Sequence, residues 1–162
     1  MTDVVAGVKS PLSFLLLVPV PWVFVLGYLL GVVVELVRRS VPAGAFPGAG
    51  IVGGVVFVVG AIIAGWGLMT FRRARTTTVP GEKSAQLVTW GPYRFTRNPM
   101  YVGLTVAYLG EALILRQIWP LLFLPLVLAY VNWVVIPLEE TRLLEVFGAD
   151  YDGYRARVRR WI

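Results

Sequence analysis

Two long segments without a charged residue, residues 10–34 and 41–71, constrain the fold of this chain more than any other feature. The hydrocarbon core of a bilayer is about 30 Å thick, and a helix of roughly 20 apolar residues crosses it. We therefore predict membrane-spanning helices over residues 12–36 and 50–71. The composition agrees, because only 15% of the residues are charged, whereas soluble domains carry about 25%.

A second pair of apolar segments follows in the C-terminal half of the chain. Residues 100–115 are interrupted by Glu111 alone, and residues 118–138 contain no charged residue. We interpret them as a helical hairpin whose first arm is short and is therefore tilted or thins the bilayer locally. The sequence thus predicts an all-α, polytopic membrane helix bundle of about four spans, including this hairpin, with a further cytoplasmic helix at the C-terminal end.

We expect residues 1–162 to form a single integral-membrane domain. Residues 1–71 would hold two N-terminal spans, and residues 72–162 a polar loop, the hairpin and the C-terminal helix. Small residues four apart in the second span predict close helix packing. Prolines inside the first and fourth spans predict kinks; these are Pro19, Pro21, Pro120 and Pro125.

The basic residues predict the orientation of the chain. With a cytoplasmic N-terminus, twelve of the 15 basic residues fall on the inner side, and Arg38, Arg39 and Arg116 fall on the outer side. Cytoplasmic loops carry the excess of Lys and Arg, so both termini and residues 72–100 should face the cytoplasm. A signal peptide is the weaker alternative for the first span, because its apolar run is longer than a usual h-region.

The chain contains neither cysteine nor histidine. Disulfides, thiol nucleophiles, zinc sites with Cys or His ligands and histidine-based triads are therefore excluded. Any chemistry must depend on Arg, Glu, Asp, Tyr, Asn, backbone groups or a bound cofactor, and we expect no metal site.

The segment TWGPYRFTRNPMYVG, residues 89–103, combines aromatic, basic and helix-starting residues. Pro99 suits the first position of a helix, and Asn98 before it is a plausible N-cap. The start of that helix would offer backbone N–H groups to an anion, with Arg97 close by and Gly103 leaving room for a ligand. Alternatively, the aromatic residues form an interfacial belt and the arginines are lipid anchors.

The segment after the fourth span, PLEETRLLEVFGADYDGYRARVRRW, carries an acidic pair. Glu139 and Glu140 extend the apolar face of a short helix, where a carboxylate requires a partner. The alternative is that they merely complement the helix dipole. The arginines that follow predict contacts with anionic lipid head groups rather than nucleic acid; they are Arg155, Arg157, Arg159 and Arg160.

A ligand that fits these groups carries a positive charge, a negative charge and an aromatic base. S-adenosylmethionine has a zwitterionic amino-acid end, a purine, and a sulfonium that aromatic rings attract. A nucleotide or a lipid phosphate would use several of the same groups.

The segments GPYRFTRNPMYVG and EETRLLEVFGADYDGYRARV, about 35 residues apart, resemble the isoprenylcysteine carboxyl methyltransferase and phospholipid methyltransferase families of integral-membrane enzymes. Their pattern is roughly G-x-Y-x-x-x-R-H-P-x-Y-x-G, a hairpin, then E-E-x-x-L-x-x-x-F-G-x-x-Y-x-x-Y-x-x-R-V. The resemblance covers residues of about 85–160. It implies that residues 72–162 form the catalytic half, with S-adenosylmethionine bound on the cytoplasmic side and S-adenosylhomocysteine as product.

The resemblance also implies the site residues. Arg97, Glu139 and Glu140 would be catalytic. The family usually has His at the position of Asn98, which cannot titrate, so we expect this residue to contact the cofactor or cap the helix rather than relay a proton. The implied cofactor contacts are Tyr93, Arg97, Asn98, Pro99, Tyr101, Gly103, Glu139 and Glu140.

The resemblance implies methyl transfer to a lipophilic acceptor that enters from the bilayer, with membrane lipids around it. The favoured acceptor is a carboxylate of the isoprenylcysteine type or its lipidated protein, and the alternative is a phospholipid or other lipid amine. More distant alternatives are a sterol-type reductase, a structural membrane protein and a small transporter, the last because Glu111 lies in an apolar segment. The sequence leaves the oligomeric state open.

Overall fold

The protein is described by a computed structural model that covers residues 20–38, 47–74 and 86–162. Within these ranges the structure is helical, which confirms the all-α prediction. A 3₁₀ turn (Gly91–Arg94) precedes α3, and a π-helical turn (Val131–Val135) joins α4 to α5 without a break. The helices are α1 (Val20–Arg38), α2 (Ala49–Arg73), α3 (Pro99–Leu115), α4 (Trp119–Tyr130), α5 (Ile136–Phe147) and α6 (Ala149–Arg155).

Three of the described helices are long and apolar enough to span a membrane: α1, α2 and the continuous helix Trp119–Phe147. The second predicted span, residues 50–71, agrees with α2, and residues 12–19 of the first lie outside the described ranges. The apolar helix α3 has only 17 residues, which confirms that the first arm of the hairpin is short. The predicted hairpin therefore consists of α3 and the helix that begins at Trp119.

Helix α3 packs against α2 along residues without bulky side chains. A Cβ atom on Gly103 would meet the backbone of Ala64, and one on Gly60 would meet the backbone of Ala107. Lipid tails are as apolar as the helices, so close van der Waals packing drives such contacts. The predicted close approach is confirmed for the pair Gly60 and Ala64. In contrast, Gly50, Gly54 and Gly65 would have open space at a Cβ position.

Of the two prolines predicted to interrupt the fourth span, only Pro125 lies inside a helix. Pro120 is in the first turn of α4, where a missing N–H breaks no hydrogen bond, so the prediction that it interrupts a helix is wrong. Pro125 is inside α4, as expected. Pro137 follows the π-helical turn, in which the Ile136 N–H donates to the carbonyl of Val131, five residues earlier. Such a turn accommodates the proline ring within a continuous helix.

A carboxylate of α1 forms hydrogen bonds to the hairpin. It lies at the end of the bundle that contains the turn between α3 and α4. The backbone N–H groups of Ile118 and Trp119 donate to Oε2 of Glu35 at 3.2 and 3.1 Å. The first N–H groups of a helix lack partners within it, and its dipole attracts negative charge. Glu35 thus caps α4. Among the described residues, Glu111 and Arg116 form no ion pair.

The opposite end of the bundle has its own small core. Tyr93, Tyr151 and Tyr154 are buried there together with Val88, and partly buried residues of α2 and α5 pack against them. The Tyr154 hydroxyl donates to the carbonyl of Tyr93 at 2.8 Å. This core brings α6 against the segment that precedes α3.

Candidate functional site

The two polar segments identified in the sequence are in direct contact. Arg97 Nη1 lies 3.1 Å from Glu140 Oε1, and the Tyr101 hydroxyl donates to Glu139 Oε1 at 2.6 Å. The prediction that the segment before the hairpin and the helix after it fold toward each other is therefore confirmed. The partly buried carboxylates have the partners that their position required.

Two arginines share Glu140. Arg97 approaches Oε1, while Arg160 donates from Nε to Oε1 at 3.2 Å and from Nη2 to Oε2 at 2.6 Å. The second contact is the fork-like, bidentate arrangement that guanidinium and carboxylate groups favour. Both oxygens of Glu140 are therefore occupied. The expectation that Arg160 contacts lipid head groups is corrected by this ion pair.

Glu139 is the more available of the two carboxylates. Adjacent residues on an α-helix point about 100° apart, so Glu139 faces α3 while Glu140 faces the arginines. Its Oε1 accepts the hydroxyl of Tyr101, a side chain that is only 5% exposed. Over the part of the chain that the structure covers, Oε2 of Glu139 forms no hydrogen bond or ion pair. That oxygen is free to accept from an ammonium group or a sugar hydroxyl.

Arg97 is held at several points, but one buried donor of its side chain has no partner among the described residues. Its backbone N–H donates to the carbonyl of Arg159 at 2.9 Å, and its Nη1 also donates to the Tyr151 hydroxyl at 3.3 Å. Its Nε is buried and has no hydrogen-bond partner in residues 20–38, 47–74 and 86–162. A buried polar atom without a partner costs roughly 1–3 kcal/mol, and an anionic ligand would remove that cost.

Tyr93 supplies a second unused donor close to the acidic pair. Its ring makes an edge contact with Phe71, with centroids 5.0 Å apart, and its buried hydroxyl has no partner among the described residues. Burial raises the pKa of Tyr93, and the neighbouring Tyr154 hydroxyl and Glu139 carboxylate raise it further. The phenol therefore stays protonated and is a hydrogen-bond donor at neutral pH.

Three further predicted residues act mainly through the scaffold. Asn98 is at the N-cap position of α3, but its side chain forms no capping hydrogen bond; its Nδ2 donates to the carbonyl of Arg160 at 2.9 Å. Pro99 is fully buried at the first position of α3. Gly103 faces α2, and the α2 backbone fills the space where a side chain would be. The expectation that Gly103 admits a ligand is therefore corrected.

The predicted aromatic belt divides into two groups. Tyr93 and Tyr101 are both 5% exposed and belong to the contacts between the two polar segments. Trp90 and Phe95 are 40% and 71% exposed, which suits an interfacial position. The aromatic residues thus occupy two different environments that the sequence did not distinguish.

Sequence reasoning did not assign Thr96, Asn132, Tyr151 or Trp161 to this site. The Thr96 hydroxyl donates to the carbonyl of Arg160 at 3.1 Å, and Trp161 Nε1 donates to Asn132 Oδ1 at 2.9 Å. Tyr151 accepts from Arg97. Of these four residues, only Tyr151 had a signal in the sequence, its place in the family-like pattern. The other contacts join residues far apart in the chain, and residue spacing does not show them.

Comparisons with known proteins agree with this architecture. The sequence profile of the phospholipid methyltransferase family matches residues 49–150, a range that includes α2 to α5 and all the predicted site residues. No solved structure matches the chain significantly.

Two curated relatives are similar to parts of the chain. A protein-S-isoprenylcysteine O-methyltransferase of Schizosaccharomyces pombe is 37% identical over 77 residues, which cover 48% of this chain and 33% of that protein. A "Probable protein-S-isoprenylcysteine O-methyltransferase" of Oryza sativa subsp. indica is 30% identical over 109 residues, or 66% of this chain and 57% of the relative. The aligned region is thus between a third and somewhat over half of these relatives' length. Because the family profile matches more than half of the chain, the protein belongs to the phospholipid methyltransferase family.

Proposed function

We propose that this integral-membrane protein transfers a methyl group from S-adenosylmethionine to a lipophilic acceptor. The observation that carries the proposal is the contact of Arg97 with Glu140 and of Tyr101 with Glu139. These contacts join the segment before the hairpin to the helix after it, within the region that the family profile matches.

The residues present fit S-adenosylmethionine chemically. Arg97 Nε and the Tyr93 hydroxyl are buried donors without partners in the described residues, and they suit a carboxylate. Glu139 has an oxygen available for an ammonium group or a ribose hydroxyl. When bound, S-adenosylmethionine supplies a methyl group already activated by its sulfonium.

In this proposal the side chains bind and orient rather than take part covalently. Arg97 and Tyr93 hold the negative end of the cofactor, Glu139 holds a positive or hydroxyl group, and Glu140 fixes the guanidinium of Arg97. Fixing two reactants in line supplies a large part of the rate acceleration. Asn98 and Pro99 contribute by setting the start of α3, and no histidine is required.

A carboxylate is the acceptor that we favour. It needs no general base, whereas an amine must first lose a proton. The curated relatives are named as O-methyltransferases that act on isoprenylcysteine. The family description names phospholipid instead, which supports a lipid amine as the second candidate. In that case Glu139 would accept the proton, directly or through water.

We also propose that the site and both termini are cytoplasmic. The support is the excess of basic residues on one side of the predicted topology, twelve against three. The acceptor then enters from the inner leaflet.

The experiment is label transfer from tritiated S-adenosylmethionine in detergent–lipid micelles. The acceptors are a farnesylcysteine with a free carboxylate and phosphatidylethanolamine; alkali releases the label from an ester but not from an amine. We expect ester label with the wild type and at least tenfold less with Glu139→Gln, while Glu145→Gln, an exposed change in the same helix, retains activity. Absence of transfer to either acceptor would refute the proposal.

A further inference from the structure

Residues 159–161 lie across the site and connect three parts of the fold. Toward the segment before α3, the Arg159 carbonyl accepts the Arg97 N–H at 2.9 Å. The Arg160 carbonyl accepts both the Thr96 hydroxyl at 3.1 Å and Asn98 Nδ2 at 2.9 Å. These bonds hold the backbone on both sides of Arg97 as well as Arg97 itself.

The side chains of the same residues hold the opposite wall. The Arg160 guanidinium forms its bidentate pair with Glu140. Trp161 Nε1 donates to Asn132 Oδ1 at 2.9 Å, and the indole packs against the main core cluster. The segment thus binds the Arg97 side and the Glu140 side of the site at once.

The π-helical turn prepares the opposite wall for this contact. The Ile136 N–H donates to the carbonyl of Val131, and Pro137 has no N–H. The carbonyl of Asn132 is therefore left without its usual backbone donors, and Arg160 Nη1 lies 3.5 Å from it. The π-helical turn therefore leaves a carbonyl without a backbone donor at the place where the Arg160 guanidinium lies.

Charge distribution explains what Arg160 does for Arg97. Arg97 and Glu140 are largely buried, with side chains 14% and 17% exposed. Without Arg160, both oxygens of Glu140 would be available to the guanidinium of Arg97. Because Arg160 occupies them in bidentate geometry, Arg97 makes a single contact with Glu140 and its Nε remains available.

We propose that residues 159–161 form a strap that positions Arg97 and Glu140, with Arg160 and Asn98 as its positioning residues. The inference rests on the proposed function insofar as Arg97 binds the cofactor. It also assigns Asn98 a role that needs no titration: its amide donates to the strap. A histidine at the same position has an N–H donor for the same carbonyl.

Arg160 and its neighbour Arg159 provide a matched test. Arg159 is exposed, and within the described residues it contributes a backbone carbonyl but no side-chain hydrogen bond or ion pair. Arg159→Ala therefore removes the same charge but leaves the strap intact. We expect Arg160→Ala to raise the Kd and the KM for S-adenosylmethionine at least tenfold with kcat changed less than threefold. Arg159→Ala should stay within twofold of wild type. Arg160→Lys should fall between them, because lysine retains the charge but not the bidentate geometry.

Variants of Asn98, alone and combined with Arg160→Ala, test the strap further. We expect Asn98→Ala to weaken cofactor binding by a similar factor and Asn98→His to remain within threefold of wild type. The double variant Asn98→Ala/Arg160→Ala should be no more than about threefold worse than either single variant, because members of one coupled unit are non-additive. A loss of folding alone would lower the active fraction and kcat without changing KM.

Hydrogen exchange measures the strap without any cofactor. The Arg97 amide, which donates to the Arg159 carbonyl, should exchange at least tenfold faster in Arg160→Ala than in wild type or Arg159→Ala. The Val102 amide, which donates to the Asn98 carbonyl, should be unchanged. Equal exchange of Arg97 in all three proteins would overturn the strap. If Arg97 exchanges faster in Arg160→Ala but the wild type binds no S-adenosylmethionine, the proposed function and the cofactor role of the strap both fail. If the wild type and Arg160→Ala bind S-adenosylmethionine equally well, only the positioning role of the strap fails.

Discussion

Replacing Glu140 by glutamine tests how the two arginines depend on one carboxylate. Glutamine has nearly the same size, so the helix and its packing are retained, while the negative charge between Arg97 and Arg160 is lost. Two guanidinium groups then face each other around a neutral amide. Such a change removes both ion pairs of Glu140 without creating a cavity.

The cost follows from the burial of the partners. Arg97 and Glu140 are 14% and 17% exposed and Arg160 is 33% exposed, so solvent screens the residual charges only in part. Removing one partner of a buried ion pair destabilises a protein by roughly 3–5 kcal/mol. We take the lower end, about 3 kcal/mol, because glutamine still accepts one hydrogen bond. For a chain of this size that loss lowers Tm by roughly 6–12 °C.

The assay is thermal unfolding in detergent, followed by intrinsic tryptophan fluorescence. Glu145→Gln is the matched control, because Glu145 lies in the same helix and is exposed; its Tm should change by less than about 2 °C, as for most surface substitutions. Equal Tm values for the two variants would show that the Glu140 carboxylate does not stabilise the fold through both arginines.

Further predictions concern packing, the unused donor and orientation. Gly103→Ala should lower the free energy of unfolding by about 2 kcal/mol because its Cβ would meet the α2 backbone, whereas Gly54→Ala, with open space around its Cβ, should be neutral or stabilising in the same thermal assay. Tyr93→Phe should leave Tm unchanged or raise it, because it removes a buried hydroxyl without a partner among the described residues. The same change should weaken S-adenosylmethionine binding in titration calorimetry. A lower Tm of Tyr93→Phe would contradict this prediction. The chain has no cysteine, so in sealed cells an impermeant maleimide should label Ser40→Cys but label Ile162→Cys only after lysis; the reverse pattern would refute the orientation.

The spans could be predicted because lipid imposes a simple requirement on length and charge. Uncharged stretches of sufficient length have few alternatives to membrane helices, and α2 begins and ends within two residues of its prediction.

The packing of α2 on α3 could be predicted only in part. Gly60 and Gly50 have the same spacing to a small residue, but only the former faces α3, and sequence alone does not give the rotation of an isolated apolar helix.

The site could be predicted where charge demanded a partner. Glu139 and Glu140 extend an apolar face, and the basic and aromatic segment before the hairpin was the natural source of donors. Their contact with Tyr101 and Arg97 is what the structure contains.

The remaining contacts depend on backbone carbonyls and on chain direction. Arg160 is one of several arginines near the end of the sequence, and nothing in its spacing separates it from its exposed neighbour Arg159. Asn98 occupies the predicted N-cap position, but its amide donates to Arg160 because residues 159–161 lie alongside it. Such contacts appear only when the tertiary structure is known.

The most direct test of the central claim is equilibrium binding of S-adenosylmethionine to the purified protein. The claim is that Arg97 and the acidic pair jointly hold the cofactor. Arg97→Ala is compared with Arg94→Ala, which removes an exposed arginine three residues earlier. We expect saturable binding by the wild type and Arg94→Ala and a Kd at least thirtyfold higher for Arg97→Ala. Equal affinity of the two variants, or no binding by the wild type, would contradict it.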